Sequence, residues 1–165
     1  AGATMVHVSS VDAIGLRSDG QPADEDTPPG GLHECPYVTT KREAEATVLA
    51  DVERGLDAVI VNPVFMLGPW DWKPSSGRML LEVAAGKGTF APPGSNDFVD
   101  VRDVAEGILQ AATRGRTGRR YILGGHRLSY FDAWKLFAEV SGRWLWPRGR
   151  LCESRVGSVI SPACL

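Results

Sequence analysis

At 165 residues, 43% hydrophobic and 23% charged, the chain has the balance of a folded globular domain large enough to bury a core. A formal net charge of −2 gives no overall basic balance for nucleic acid, and no run of about 20 apolar residues could form a transmembrane helix. The three cysteines are odd in number and not spaced as metal ligands, which suits a reducing cytoplasm.

Ala1-Gly2-Ala3-Thr4 lacks the basic start of a signal peptide and leads directly into Thr4-Met5-Val6-His7-Val8, a short apolar stretch that reads as a buried strand. Ser9-Ser10 follows at its carboxyl end, where open α/β sheets bind ligands and where serines also simply form turns. From Leu16 to Gly31 the sequence predicts a long loop. Its acidic run Asp24-Glu25-Asp26 reads as a solvated rim.

Pro36 then fits the first turn of a helix, since its missing N–H is not needed there. Lys41 to Ala50 is rich in good helix formers, and Arg54-Gly55 is a plausible stop. On such a helix Tyr37 and Lys41 share one face. A phenol beside an ammonium is a proton-transfer device, because the positive charge favours phenolate. The same spacing also occurs where a half-buried tyrosine merely neighbours a solvated lysine. The surrounding segments must decide.

Asp57 to Val61 is a second buried strand ending at Asn62-Pro63-Val64; strand, helix and strand make a βαβ unit with a parallel pair. Val64 to Pro74 is an irregular loop in which Trp70 and Trp72 could wall a ligand pocket or pack the loop onto the body. A helix capped by Ser75 or Ser76 runs to Gly86, Thr89 to Asn96 connects, and Asp97 to Val101 is a short strand. Arg102 to Ala112 is a helix with a Val104/Ile108/Ala111 stripe. The cluster Arg114, Arg116, Arg119 and Arg120 reads as a solvated turn, having no interleaved aromatics. Tyr121 to Leu123 is a strand, Gly124-Gly125 a turn, and Tyr130 to Val140 a final helix. Residues 144–165 show neither helical nor strand periodicity.

Ser9-Ser10 closing one parallel strand, Tyr37/Lys41 opening the next helix and Asn62-Pro63-Val64 closing the next strand can all meet at one sheet edge. From Val6 to Gly142, including Phe98 to Ala105 and Tyr121 to Gly125, the chain resembles the second half of an extended short-chain dehydrogenase/reductase. Within that group it is most similar to dihydroflavonol-reductase-like and hopanoid-associated sugar-epimerase-like members of the epimerase/dehydratase branch.

The resemblance implies an α/β fold: the C-terminal part of a Rossmann-like parallel sheet with a small substrate-binding portion. Residues 1–63 would belong to the dinucleotide-binding domain, 64–143 to a substrate portion with interleaved Rossmann elements, and 144–165 to an unassigned tail. Tyr37 would be the general acid–base, and Lys41 would assist it and hold the nicotinamide ribose. Ser10, rather than Ser9, would hold the substrate oxygen. Asn62, Pro63 and Val64 would lie by an NAD or NADP cofactor, and Phe65, Trp70 and Trp72 by a small-molecule substrate.

Hydride transfer on a carbonyl or secondary alcohol is the implied activity, with epimerisation or dehydration of a nucleotide sugar and a non-catalytic NAD(P)-binding scaffold as alternatives. A homodimer is implied, with no metal, nucleic-acid or membrane partner. One departure is large: the family's G-x-x-G-x-x-G turn, which brings the pyrophosphate to a helix N-terminus, has no match here. The chain therefore reads as a C-terminal half, its first strand exposing a pairing edge, with weak cofactor binding and no turnover of its own.

Overall fold

The computed structural model describes residues 2–30, 35–87 and 91–142. In chain order the elements are β1 (Met5–Val8), a 3-10 turn (Val11–Ala13), α1 (Pro36–Glu53), β2 (Ala58–Pro63), β3 (Phe65–Leu67), α2 (Ser76–Ala84), β4 (Ser95–Asp100), α3 (Val101–Arg114), β5 (Arg120–Leu123), β6 (His126–Ser129) and α4 (Tyr130–Val140). Their described residues form two compact units: those up to Val64 with Arg102–Gly124, and Phe65–Val101 with 125–142. The unassigned tail lies outside the described residues.

The first unit is a parallel sheet in the order β1-β2-β5. Met5 pairs with Ala58 and Val8 with Val61 on one side of β2; Ile60 pairs with Arg120 and Pro63 with Leu123 on the other. Side chains alternate between the two faces of a strand. Ala58 and Ile60 therefore meet Val48, Leu49 and Val52 of α1, while Val59 and Val61 meet Ile108 and Ala111 of α3. Every residue of β2 is buried, as expected of a central parallel strand covered on both faces. Burying a side chain such as Ile60 stabilises by about 1.5–3 kcal/mol.

β2 runs two residues past the expected Val61, and its last residue is a proline. Val61 O accepts from Ser9 N on the β1 side, and Val64 N donates to Leu123 O on the β5 side. By alternation the missing N–H of Pro63 falls on the β1 side, beyond the last residue of β1, so no ladder bond is lost.

The 16–30 loop does more than skirt the surface. Glu25 Oε1 accepts from Ile122 N at 3.1 Å, and Asp26 pairs with Arg119 at 3.1 Å, so the acidic run caps the free edge of β5. Its return depends on Gly15: a Cβ there would lie 1.9 Å from Pro28 O. At the opposite edge β1 pairs only with β2 among the described residues, and Met5 and Val8 are exposed.

The second unit has a three-stranded sheet in which β4 runs parallel to β3 and antiparallel to β6. Its core gathers Val83, Phe98, Tyr130, Ala133 and Phe137. Phe98 is central, with its ring edge-on to Phe65, Tyr130 and Phe137. α4 starts where expected, because Ser129 Oγ accepts from Asp132 N at 3.0 Å. β3 falls within the predicted irregular loop, and β6 in a stretch between turn and helix for which the sequence predicts no element: each is only three or four residues long, too short to show alternation.

Candidate active site

In the first unit Lys41 meets the carboxyl end of β1, Tyr37 lies beside Lys41, and Ser10 lies just beyond β1 and bonds Asn62 of β2. α1 begins at Pro36, so Tyr37 sits in its first turn and Lys41 one turn later. Val38, Glu45 and Val48 form the buried face of α1, and Lys41 lies three residues from Val38 and four from Glu45. That placement turns the lysine toward the sheet. Its Nζ donates to Val8 O at 3.2 Å, on the residue that ends β1 and precedes Ser9. The same Nζ lies 5.9 Å from the centre of the Tyr37 ring. Tyr37 itself is 38% exposed.

Ser9 and Ser10 are both buried. Ser10 caps the 3-10 turn: its Oγ accepts from Asp12 N at 3.2 Å and donates to Asp12 Oδ2 at 3.3 Å. Its carbonyl accepts from Ala13 N within the turn and from Asn62 Nδ2, 2.9 Å away across the sheet. Asn62 is fully buried, and its amide also donates to Glu45 Oε1 at 2.7 Å. Glu45 Oε2 in turn accepts from Arg120 Nε at 2.8 Å. Arg42, next to Lys41, donates through Nε to Ala13 O at 3.2 Å. The helix that carries Tyr37 and Lys41 thus holds one end of the serine turn directly, through Arg42, while Asn62 of β2 holds the other.

Sequence reasoning missed Glu45, Arg42 and Arg120. Arg120, expected in a solvated basic turn, instead reaches inward to a carboxylate that is 1% exposed as a residue. The available signal was Glu45 itself, a charge on the helix face that otherwise carries Val38 and Val48. Asn62, expected beside the cofactor or substrate, has both amide hydrogens committed to Ser10 and Glu45. Pro63 and Val64 lie buried at the end of β2.

The remaining predicted residues belong to the second unit. Phe65 is half-buried there, its ring centre 5.3 Å from that of Phe98. Trp70 and Trp72 are 77% and 81% exposed, with ring centres 5.7 Å apart. Trp70 adopts φ +74, a left-handed conformation uncommon for so bulky a residue.

The first unit offers a partial cradle for a dinucleotide. An ammonium at a strand end, an exposed tyrosine and the backbone beyond a proline fit a ribose and a carboxamide. A pyrophosphate needs a glycine-rich turn opening a helix, and the sequence has none. Among the described residues no three His, Cys, Asp or Glu side chains gather as a metal would require, and no helix is long and apolar enough to cross a membrane.

Residues 1–124 match the model of the NAD dependent epimerase/dehydratase family. Over 148 residues the chain is 36% identical to sterol demethylase protein B of Methylococcus capsulatus, covering 89% of this chain and 44% of that protein. It is 42% identical over 132 residues to a putative dihydroflavonol 4-reductase of Synechocystis, covering 75% of this chain and 38% of that protein. A nucleoside-diphosphate-sugar epimerase from Pseudomonas aeruginosa superposes with a TM-score of 0.79 at 29% identity, over 86% of this chain and 48% of that one. The chain therefore spans less than half the length of the two curated relatives it matches here.

Proposed function

The chain belongs to the NAD dependent epimerase/dehydratase family, and from that membership we propose that it is the catalytic half of an NAD(P)-dependent oxidoreductase. Its reaction is hydride transfer on a carbonyl or secondary alcohol of a small molecule, of the dihydroflavonol-reductase type. The observation that carries this reading is the placing of Lys41 Nζ between the end of β1 and the ring of Tyr37, beside the serine turn.

The division of labour follows from position and charge. NAD or NADP, when bound, supplies or takes the hydride. Tyr37 gives its hydroxyl proton to the substrate oxygen as the carbonyl is reduced, and takes it back in the reverse direction. Lys41 stabilises the phenolate so formed and holds the nicotinamide ribose. Ser10 donates a hydrogen bond to the same substrate oxygen, exchanging its contact with Asp12 for one with the substrate. The Pro63-Val64 backbone lies by the carboxamide, and Asn62 serves this region from behind. Phe65, Trp70 and Trp72 contribute to substrate binding; the exposure of two neighbouring tryptophan rings supports that role for the pair.

Residues 1–63 belong on this reading to the dinucleotide domain, and 64–143 to a substrate portion with interleaved Rossmann elements. Turnover requires a glycine-rich half that these 165 residues do not include, so the chain alone is inactive. The complete enzyme works in the cytoplasm as a homodimer. A second reading, epimerisation or dehydration of a nucleotide sugar, is favoured by the likeness to the Pseudomonas epimerase.

The test joins this chain to a glycine-rich dinucleotide half and follows NADH and NADPH absorbance with a panel of ketones and with nucleotide sugars. Stoichiometric consumption with a ketone supports the reductase. Isomerised or dehydrated sugar with no net consumption supports the second reading. Neither outcome in a folded, cofactor-binding protein overturns both.

A further inference from the structure

We propose that Glu45 and Asn62 form a positioning relay for Ser10, with Glu45 fixing the orientation of the Asn62 amide and that amide fixing the Ser10 carbonyl. The inference rests on the role given to Ser10 above. Neither residue touches a reacting atom; both act through the serine.

The chemistry of the donors leaves one arrangement. An ionised carboxylate only accepts hydrogen bonds, and so does a backbone carbonyl. Asn62 faces one of each, Glu45 Oε1 at 2.7 Å and Ser10 O at 2.9 Å. Only the NH2 end of the amide satisfies both; a flipped amide would set its oxygen against two acceptors. Glu45 is held in turn by Arg120 at 2.8 Å, so its carboxylate has a charged partner despite being 1% exposed. From Arg120 on β5, through Glu45 on α1 and Asn62 on β2, the chain of bonds ends at the residue whose hydroxyl meets the substrate.

A purely structural network would stiffen the unit as a whole. This one ends on the serine turn. Arg42 Nε pins Ala13 O at the other end of that turn, and Ser10 Oγ is fixed within it by Asp12 N. With its carbonyl held from behind, Ser10 has its hydroxyl set relative to Lys41, whose Nζ bonds Val8 O two residues earlier. A slip of the turn would move the hydroxyl away from the substrate oxygen without disturbing Tyr37. Misplacement by about 1 Å is enough to cost turnover on the order of a hundredfold.

The relay is tested in the complete enzyme by a double-mutant cycle on kcat, combining Asn62→Ala with Ser10→Ala, while cofactor affinity and unfolding midpoint are recorded for every variant. Two groups acting as one unit give non-additive losses. The expected result is a loss of roughly tenfold or more in kcat for Asn62→Ala alone, little further loss when it is added to Ser10→Ala, and unchanged cofactor affinity. Amide exchange at Val11 to Ile14 should speed up in Asn62→Ala while that of β2 holds.

Should Asn62→Ala not fold, Glu45→Gln serves in its place, because its carboxamide must set an N–H against either Asn62 or Arg120. Losses that multiply in the double variant, or unchanged exchange in the turn, overturn the relay while leaving the role of Ser10 intact. Full turnover by Ser10→Ala overturns the reading of Ser10 itself, and the relay with it.

Discussion

Arg120 Nε and Glu45 Oε2 lie 2.8 Å apart, joining the first residue of β5 to the inner face of α1 with only 21% and 2% of their side chains exposed. The pair also closes the far end of the hydrogen-bond chain that reaches Ser10.

Removing one partner of so enclosed a pair leaves the other charge without compensation. Arg120→Met is expected to lower unfolding free energy by about 3–5 kcal/mol, and the double change Arg120→Met with Glu45→Leu by much less. Equilibrium urea denaturation of the three proteins measures both. A single-variant loss below about 1 kcal/mol would mean that the pair is solvated and that α1 is held to the sheet by its apolar contacts alone.

Gly15 makes a sharper steric prediction. A Cβ at this position would lie 1.9 Å from Pro28 O, a backbone atom that cannot swing aside. Gly15→Ala should therefore cost about 1–3 kcal/mol and loosen the 16–30 loop from β5, where Glu25 caps Ile122 N. Proteolysis within that loop should quicken in parallel with the loss of stability. An unchanged denaturation midpoint would show that the loop takes another path.

A pH dependence follows from His7. Burial, and after it the Lys41 ammonium, hold its imidazole below the ordinary 6.5, while Glu45 pulls the other way. In mildly acid solution the unfolded chain therefore binds a proton that the folded chain refuses. The contribution of His7 is complete above its unfolded value and is lost as the pH falls toward the depressed folded one. Denaturation midpoints taken from about pH 7.5 to about pH 5.5 should drop more steeply for the native protein than for His7→Gln. Parallel curves would remove His7 as a cause.

Much of this molecule was legible because local chemistry and tertiary position agreed. Pro36 at the first turn and the uninterrupted apolar run of β2 each gave a local signal that packing then kept. β3 and β6 gave no such signal, since strands so short are defined by partners distant in sequence. At the site, the common face of Tyr37 and Lys41 was readable from helix periodicity, and Ser10 from its place just after a strand end. Glu45 and Arg120 were not, and nothing in the sequence joined Asn62 to them, because the meeting of the three depends on how α1, β2 and β5 stack. An acidic side chain on an inner helix face was the only trace of it in the sequence.

The central claim is that Tyr37 moves the proton and Lys41, across its ring at 5.9 Å, supports it. It is tested most directly by comparing the complete enzyme with its Tyr37→Phe form, measuring turnover and cofactor affinity in the same preparation. The account predicts a fall in kcat of about 10²- to 10⁴-fold with cofactor affinity retained. Turnover preserved within about threefold, with cofactor still bound, would show that the proton travels by another group and would contradict the account.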